Sequence, residues 1–167
     1  MTTDEREHTS ESGQDDLRAT LRTMLLGAEH VGARRVHLAG LALGVLGVTF
    51  LAYELGVFSH AGGVVFVPFH AAMVGLVAAF WAGYRRTGLL SGWVLAYLSF
   101  LGWRTEWATD LSPRPFVDRI AYVVRPDGLL VLAVFGTLVA IAGFVAGALA
   151  RRAVDALRTS PRTVGNT

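Results

Sequence analysis

Residues 129–150 run for 22 positions without a single charged side chain. As a helix rising about 1.5 Å per residue, that stretch is about 33 Å long, close to the ~30 Å hydrocarbon core of a bilayer. Three more apolar runs precede it. The first covers about 36–58 and is interrupted only by His37 near its start and Glu54 near its end. The second covers 64–84, where Pro68 either starts the regular helix or kinks it. The third covers 88–107. Its uncharged part is 16 residues, and it reaches full length only by including Arg104 and Glu106, with Arg104 snorkelling outward. Backbone polar groups have no water partners in lipid, so helices that satisfy themselves are the expected spanning form. The fold class expected is therefore all-α: a polytopic membrane protein with four transmembrane helices. A cytoplasmic amphipathic N-terminal helix and a short outer-loop helix complete it.

Composition supports this reading through its distribution. The chain of 167 residues is 53% hydrophobic and 17% charged, against about 45–50% and about 25% for soluble domains. Of its 28 charged residues, 12 fall in 1–35 and 5 in 151–167, which leaves 11 for the 115 residues between. An ordinary water-soluble globule does not follow from such a middle. There is no cysteine and no lysine. Thiolate, iron–sulfur, Schiff-base and P-loop lysine chemistry are thereby excluded.

Four segments are expected. Residues 1–16 hold six acids and one arginine with no large apolar residue beyond Met1, and read as a disordered acidic tail. Residues 17–33 place Leu17, Leu21, Met24, Leu25, Ala28 and Val31 on one helical stripe. Such a helix either packs on the protein's own cytoplasmic face or lies in the plane of the lipid headgroups. Residues 34–152 form the four-span domain, and 153–167 a basic cytoplasmic tail. In the loop between spans three and four, Phe116, Val117, Ile120, Ala121 and Val124 form a second short stripe, begun by Pro115. That helix would lie on the outer surface or cap the bundle.

Arginine placement sets the orientation. Ten arginines fall in segments that share one side of a four-span chain (18, 22, 34, 35, 85, 86, 151, 152, 158 and 162), and four fall on the other (104, 114, 119 and 125). The positive-inside rule then puts the N- and C-termini in the cytoplasm of a multi-pass cell-membrane protein. Trp81 and Tyr84 at one end, and Tyr53, Trp103 and Trp107 at the other, read as interfacial belts. The arginines flank apolar runs and do not form a stripe with aromatics, so no nucleic-acid partner is expected. The partners expected are the lipid bilayer and either a second copy of the chain or another membrane protein.

Association of helices in lipid relies on close backbone approach, so small residues mark interfaces. The clearest series is Gly136, Ala140, Gly143 and Gly147 in span four. Spans one to three carry their own, including Gly40 and Gly44, Ala71 and Gly75, and Gly88 and Gly92. These series predict packing within one bundle or, for one of them, contact with a partner.

Ionisable residues at membrane depth are candidates for function. Glu54, His60, His70, Arg104 and Glu106 all fall toward the outer face and form the candidate polar site, with Asp110 nearby. His60 and His70 are ten apart, with Gly62, Gly63 and Pro68 between them, which is not a local metal-ligand spacing. His37 and His70 lie at different depths and cannot share a haem within one subunit. No motif carries catalytic chemistry. The expectation is a structural or partner-interacting membrane component that is not an enzyme and has no cofactor. The alternative is a small-solute or ion permease, or a subunit of one, with a polar site near the outer face.

Overall fold

The computed structural model describes residues 16–26, 31–58, 68–110 and 115–159. Among these there are six helices and no strand. They are α1 (16–26), α2 (Val31–Glu54), α3 (Phe69–Tyr84), α4 (Leu89–Asp110), α5 (Phe116–Val123) and α6 (Pro126–Thr159). Two of them contain stretches long and apolar enough to cross a membrane, Val36–Glu54 and Pro126–Thr159. Helix α3 is apolar but shorter, at 16 residues.

Helix boundaries differ from the sequence expectation for local reasons. Helix α2 stops at Glu54, four residues before the apolar run does, because Gly56 takes φ +68 and turns the chain. Phe58 then folds back, and its N–H donates to the Ala52 carbonyl at 2.9 Å. Pro68 starts α3 instead of kinking it, as the residue just before the first helical turn. Helix α6 begins at Pro126, whose fixed φ suits a first turn. It then continues nine residues beyond Ala150. An Arg151–Asp155 pair one turn apart, 3.3 Å from Nε to Oδ2, supports that extension. The stretch expected to be a tail from 153 is therefore helical to Thr159. At the N-terminal end, α2 already begins at Val31, inside the stretch assigned to the amphipathic helix.

Helix α4 is central. It packs against α2, α3 and α6, while α6 makes its most extensive contact with α3, and α2 touches α3 only slightly. The α3–α4–α6 contacts are built on glycine and alanine. A Cβ at Gly143 would stand 2.6 Å from the Leu76 carbonyl oxygen, and one at Gly147 or Gly83 would collide with the carbonyl of Phe80 or Phe144. Ser99 of α4 donates to the Ala71 carbonyl of α3 at 2.9 Å, and Trp93 Nε1 donates to Thr137 Oγ1 of α6 at 2.9 Å.

Large apolar side chains lie on the outside. In α6 the buried residues are Leu132, Gly136, Ala140, Gly143 and Gly147, whereas Leu130, Val131, Val134, Leu138, Ile141, Val145 and Leu149 are exposed. The interior elsewhere holds Tyr53, Leu95 and Phe100 together with small and polar groups, including Thr49, Ser91, Ser99, Arg104 and Glu106. A water-soluble bundle has the opposite arrangement. Every described residue of α1 is exposed, its Leu17, Leu21, Met24 and Leu25 included, so that stripe is not buried on the bundle.

Candidate functional site

The end of the bundle where α2 finishes and α3 starts gathers most of the polar residues singled out from the sequence. Its apolar floor is a cluster of Tyr53, Ala71, Phe100 and Leu132, edged by Phe58, Tyr97, Trp103 and Phe135. Tyr53 is the organising residue. It is only 4% exposed, so it is no interfacial anchor, contrary to its expected place in an aromatic belt. Its phenol oxygen accepts the backbone N–H of Ala71. That N–H lies in the first turn of α3, where helices have donors without intrahelical acceptors. Pro68 supplies no side-chain cap, so a residue of α2 takes over the role. The Glu106 carboxylate of α4 lies close enough to Tyr53 to act on it electrostatically, and Glu106 itself is 1% exposed.

His70 closes the group on the α3 side. Its ring stacks on Phe58, centroids 4.8 Å apart and planes 13° apart, and meets the Tyr53 ring edge-on at 6.4 Å. Tyr53 thus stands beside an imidazole of α3 and within electrostatic reach of a carboxylate of α4. Such a set can accept and donate hydrogen bonds and exchange a proton. Glu54 is not part of it: its side chain is exposed at the end of α2. His60 lies outside the described residues, and of Asp110 only the backbone is described. Among the described residues, no group of three or more His, Cys, Asp or Glu is placed to hold a metal ion.

Arg104 does something different from snorkelling. It is 9% exposed and two residues before Glu106, so the two side chains leave α4 on different faces. Its Nε donates to the Val123 carbonyl at 3.1 Å and its Nη2 to the Tyr122 carbonyl at 2.6 Å. Both carbonyls end α5, where orphan acceptors and the negative end of the helix dipole favour a cation. The guanidinium also stands over the Tyr122 ring, 4.7 Å from its centroid. Gly128 of α6 leaves it room, because a Cβ there would fall on the guanidinium. One arginine of α4 thereby fastens both α5 and the start of α6. Asp127, beside it, has its carboxyl held below the ordinary value. The Gly128 backbone N–H is the main cause, with Arg125 and Arg104 adding to it.

Helix α5 turns Tyr122, Val123 and Arg119 partly inward, while Phe116 and Val117 stay 74% and 73% exposed and Ile120 is also exposed. The sequence stripe is present, but it faces away from the protein. The remaining residues marked from the sequence, Gly136, Ala140, Gly143 and Gly147, face α3 and α4 within the chain.

Sequence reasoning missed the cap formed by Tyr53 and the clamp formed by Arg104. A buried tyrosine and an interfacial one look alike in sequence. The signal available for Arg104 was the Pro115 start of α5, which sets an arginine of α4 and a short helix close together in the chain. No known protein family, curated protein or solved structure matches this chain.

Proposed function

We propose that the chain is a four-span integral membrane component whose α2, α3, α4 and α6 cross the bilayer, with both termini in the cytoplasm. Its role is to hold a fixed helical surface for partners and lipid. One observation carries this reading: most large aliphatic side chains point outward, while glycine, alanine and hydroxyl groups make the helix contacts around a small cluster of Tyr53, Leu95, Phe100 and Leu132. Only a solvent as apolar as leucine makes that arrangement favourable. The span of α6 is then 129–150, with the Arg151–Asp155 turn beyond it. Two further features support it. The outward apolar face of α5 suits a helix lying in the outer interface, and the exposed stripe of α1 suits one lying on the headgroups.

The reading is tested by extracting membranes at alkaline pH and mapping single cysteines. The chain has no cysteine of its own, so each introduced thiol reports alone. A membrane-impermeant maleimide should label Asp118→Cys in intact cells. Thr159→Cys and Ser10→Cys should react only after lysis. Release of the chain at alkaline pH would end the membrane reading, and labelling of Thr159→Cys in intact cells would reverse the orientation.

A second reading, a small-solute or ion permease or a subunit of one, draws on Tyr53, His70 and the buried Glu106. Carboxylates at membrane depth are costly and are retained where they serve a pathway or a site. Transport that falls with Glu106→Gln while the thermal transition stays in place would favour it.

A further inference from the structure

Helices α2 and α3 run antiparallel, because Tyr53 meets His70 at one end and Leu41 meets Trp81 toward the other. They scarcely touch, and an open groove of about 710 Å³ separates them. Its walls are Leu41 and Val45 from α2 and Met73, Val74, Val77 and Trp81 from α3. Almost nothing polar lines it, and its size is that of a small-molecule site.

The groove's two ends differ in charge. At the Trp81 end the Arg85 guanidinium lies 5.0 Å from the centroid of the Trp81 ring, which is itself one of the groove's walls. Among the described residues, Arg85 has no carboxylate within ion-pairing distance. Arg86 follows, with φ 55, a left-handed backbone that strains a non-glycine residue. It closes the α3 terminus: its N–H donates to the Gly83 carbonyl at 3.1 Å and that of Thr87 to the Ala82 carbonyl at 2.9 Å. Glycine would serve this turn better. Holding an arginine there keeps a second cation, 70% exposed, next to Arg85 in the chain. Its only described acidic neighbour, Asp155 at 3.8 Å, is shared with Arg151.

We propose that this groove is a binding site for an anionic phospholipid. One acyl chain lies between α2 and α3, and the headgroup phosphate is held by Arg85 and Arg86. An apolar slot explains only a hydrocarbon chain. The cations crowded at one of its ends specify the charge of what that chain is attached to, and the strained backbone at Arg86 has a use in supplying one of them. The proposal rests on the membrane reading given above.

The test is native mass spectrometry of the full chain released from detergent, with phosphatidylglycerol and phosphatidylcholine of identical acyl chains. Wild type should retain phosphatidylglycerol in clear preference. Arg85→Ala should cut that preference about fivefold, and Arg86→Gly by a similar factor. Arg86→Gly should at the same time raise the thermal transition, so its lost preference cannot come from misfolding. Val77→Trp, which fills the groove, should lower retention of both lipids. Equal retention of the two lipids by wild type, or an unchanged preference in both arginine variants, would overturn the proposal. So would an efficient Met73→Cys disulfide between two chains in membranes, which would assign the groove to a second copy. Alkaline extraction of the same membranes separates the two levels. A chain that is released loses both readings, and one that stays but shows no preference loses only this one.

Discussion

Glycines in α6 and glycines in α2 share nearly the same spacing and have opposite surroundings. Gly143 and Gly147 are pressed against the backbone of α3, whereas Gly40, Gly44 and Gly47 have no atom within 4 Å of where a side chain would start. The difference lies in the partner. Helix α3 offers Gly75, Ala79, Ala82 and Gly83 to its neighbours, so small meets small and the backbones close. Helix α2 turns Ala42, Thr49 and Tyr53 toward α4 and leaves its glycines on the opposite face. A small-residue series in one helix therefore marks an interface only when a second helix answers it.

The sharpest way to break this comparison is one substitution made in both places. Gly147→Leu should cost about 3 kcal/mol or more, because the added atoms meet the Phe80 carbonyl and not a movable side chain. Gly44→Leu should leave stability unchanged or raise it by up to about 1 kcal/mol, since glycine is a poor helix former and the space is open. Thermal unfolding in detergent measures both. If Gly44→Leu instead converts a dimer to a monomer by light scattering, the α2 strip is answered by a second copy.

Arg104 provides the next largest effect. Arg104→Ala removes two charge-assisted hydrogen bonds from the end of α5 and should cost about 2–3 kcal/mol. Cleavage by trypsin at Arg119 or Arg125 should speed up in parallel. Arg104→Lys should recover only part of the loss, since an ammonium cannot span both carbonyls as the planar fork does.

A smaller, opposite effect is expected at Thr49. Its hydroxyl is fully buried where α2 meets α4 and finds no hydrogen-bond partner among the described residues. Thr49→Val keeps the shape and removes the orphan group, so it should gain about 1 kcal/mol and narrow the gap between the α2 contact and the rest of the bundle. A lower melting temperature for this variant would mean that the hydroxyl is in use.

The smallest effect concerns pH. The Asp127 carboxyl is held below its ordinary value, so its stabilising contribution is present above the unfolded-state pKa. It is lost as pH falls through the lowered folded value. Full exposure to solvent keeps the effect slight. Asp127→Asn should flatten the acid limb of a melting-temperature profile below about pH 4 and leave neutral pH nearly unchanged.

The helices were largely legible in the sequence, because hydropathy and small-residue spacing act locally. Pro68 and Pro115 mark helix starts, and Gly136, Ala140, Gly143 and Gly147 lie on one stripe that any reader of period 3.5 would find; residues 125–128 read instead as a turn, and α6 in fact begins there at Pro126. The end of α2 was not legible, since valine and phenylalanine continue its apolar run and only the backbone angle of Gly56 stops it. The polar residues were legible as a set but not as a geometry. Glu54 and Tyr53 are adjacent in sequence, and about 100° of helical phase sends the first to the surface and the second into the interior. The roles of Tyr53 and Arg104 depend on orphan backbone groups of other helices, α3 and α5, which no side-chain pattern records.

Helix α6 runs 34 residues without a break, a rod about 51 Å long, whereas a bilayer's hydrocarbon core takes up only ~30 Å. Within the helix no proline follows Pro126, and Gly136, Gly143 and Gly147 each lie against a neighbouring helix. The rod is gripped near its start by the Arg104 guanidinium at Gly128, and further along by Arg151, whose Nη1 donates to the Tyr84 carbonyl at 3.3 Å. A stiff beam held at two points behaves as a lever. A small displacement imposed at the α5 end is delivered in the opposite sense, reduced to about a third, to Leu157 and Thr159, which project past the second grip.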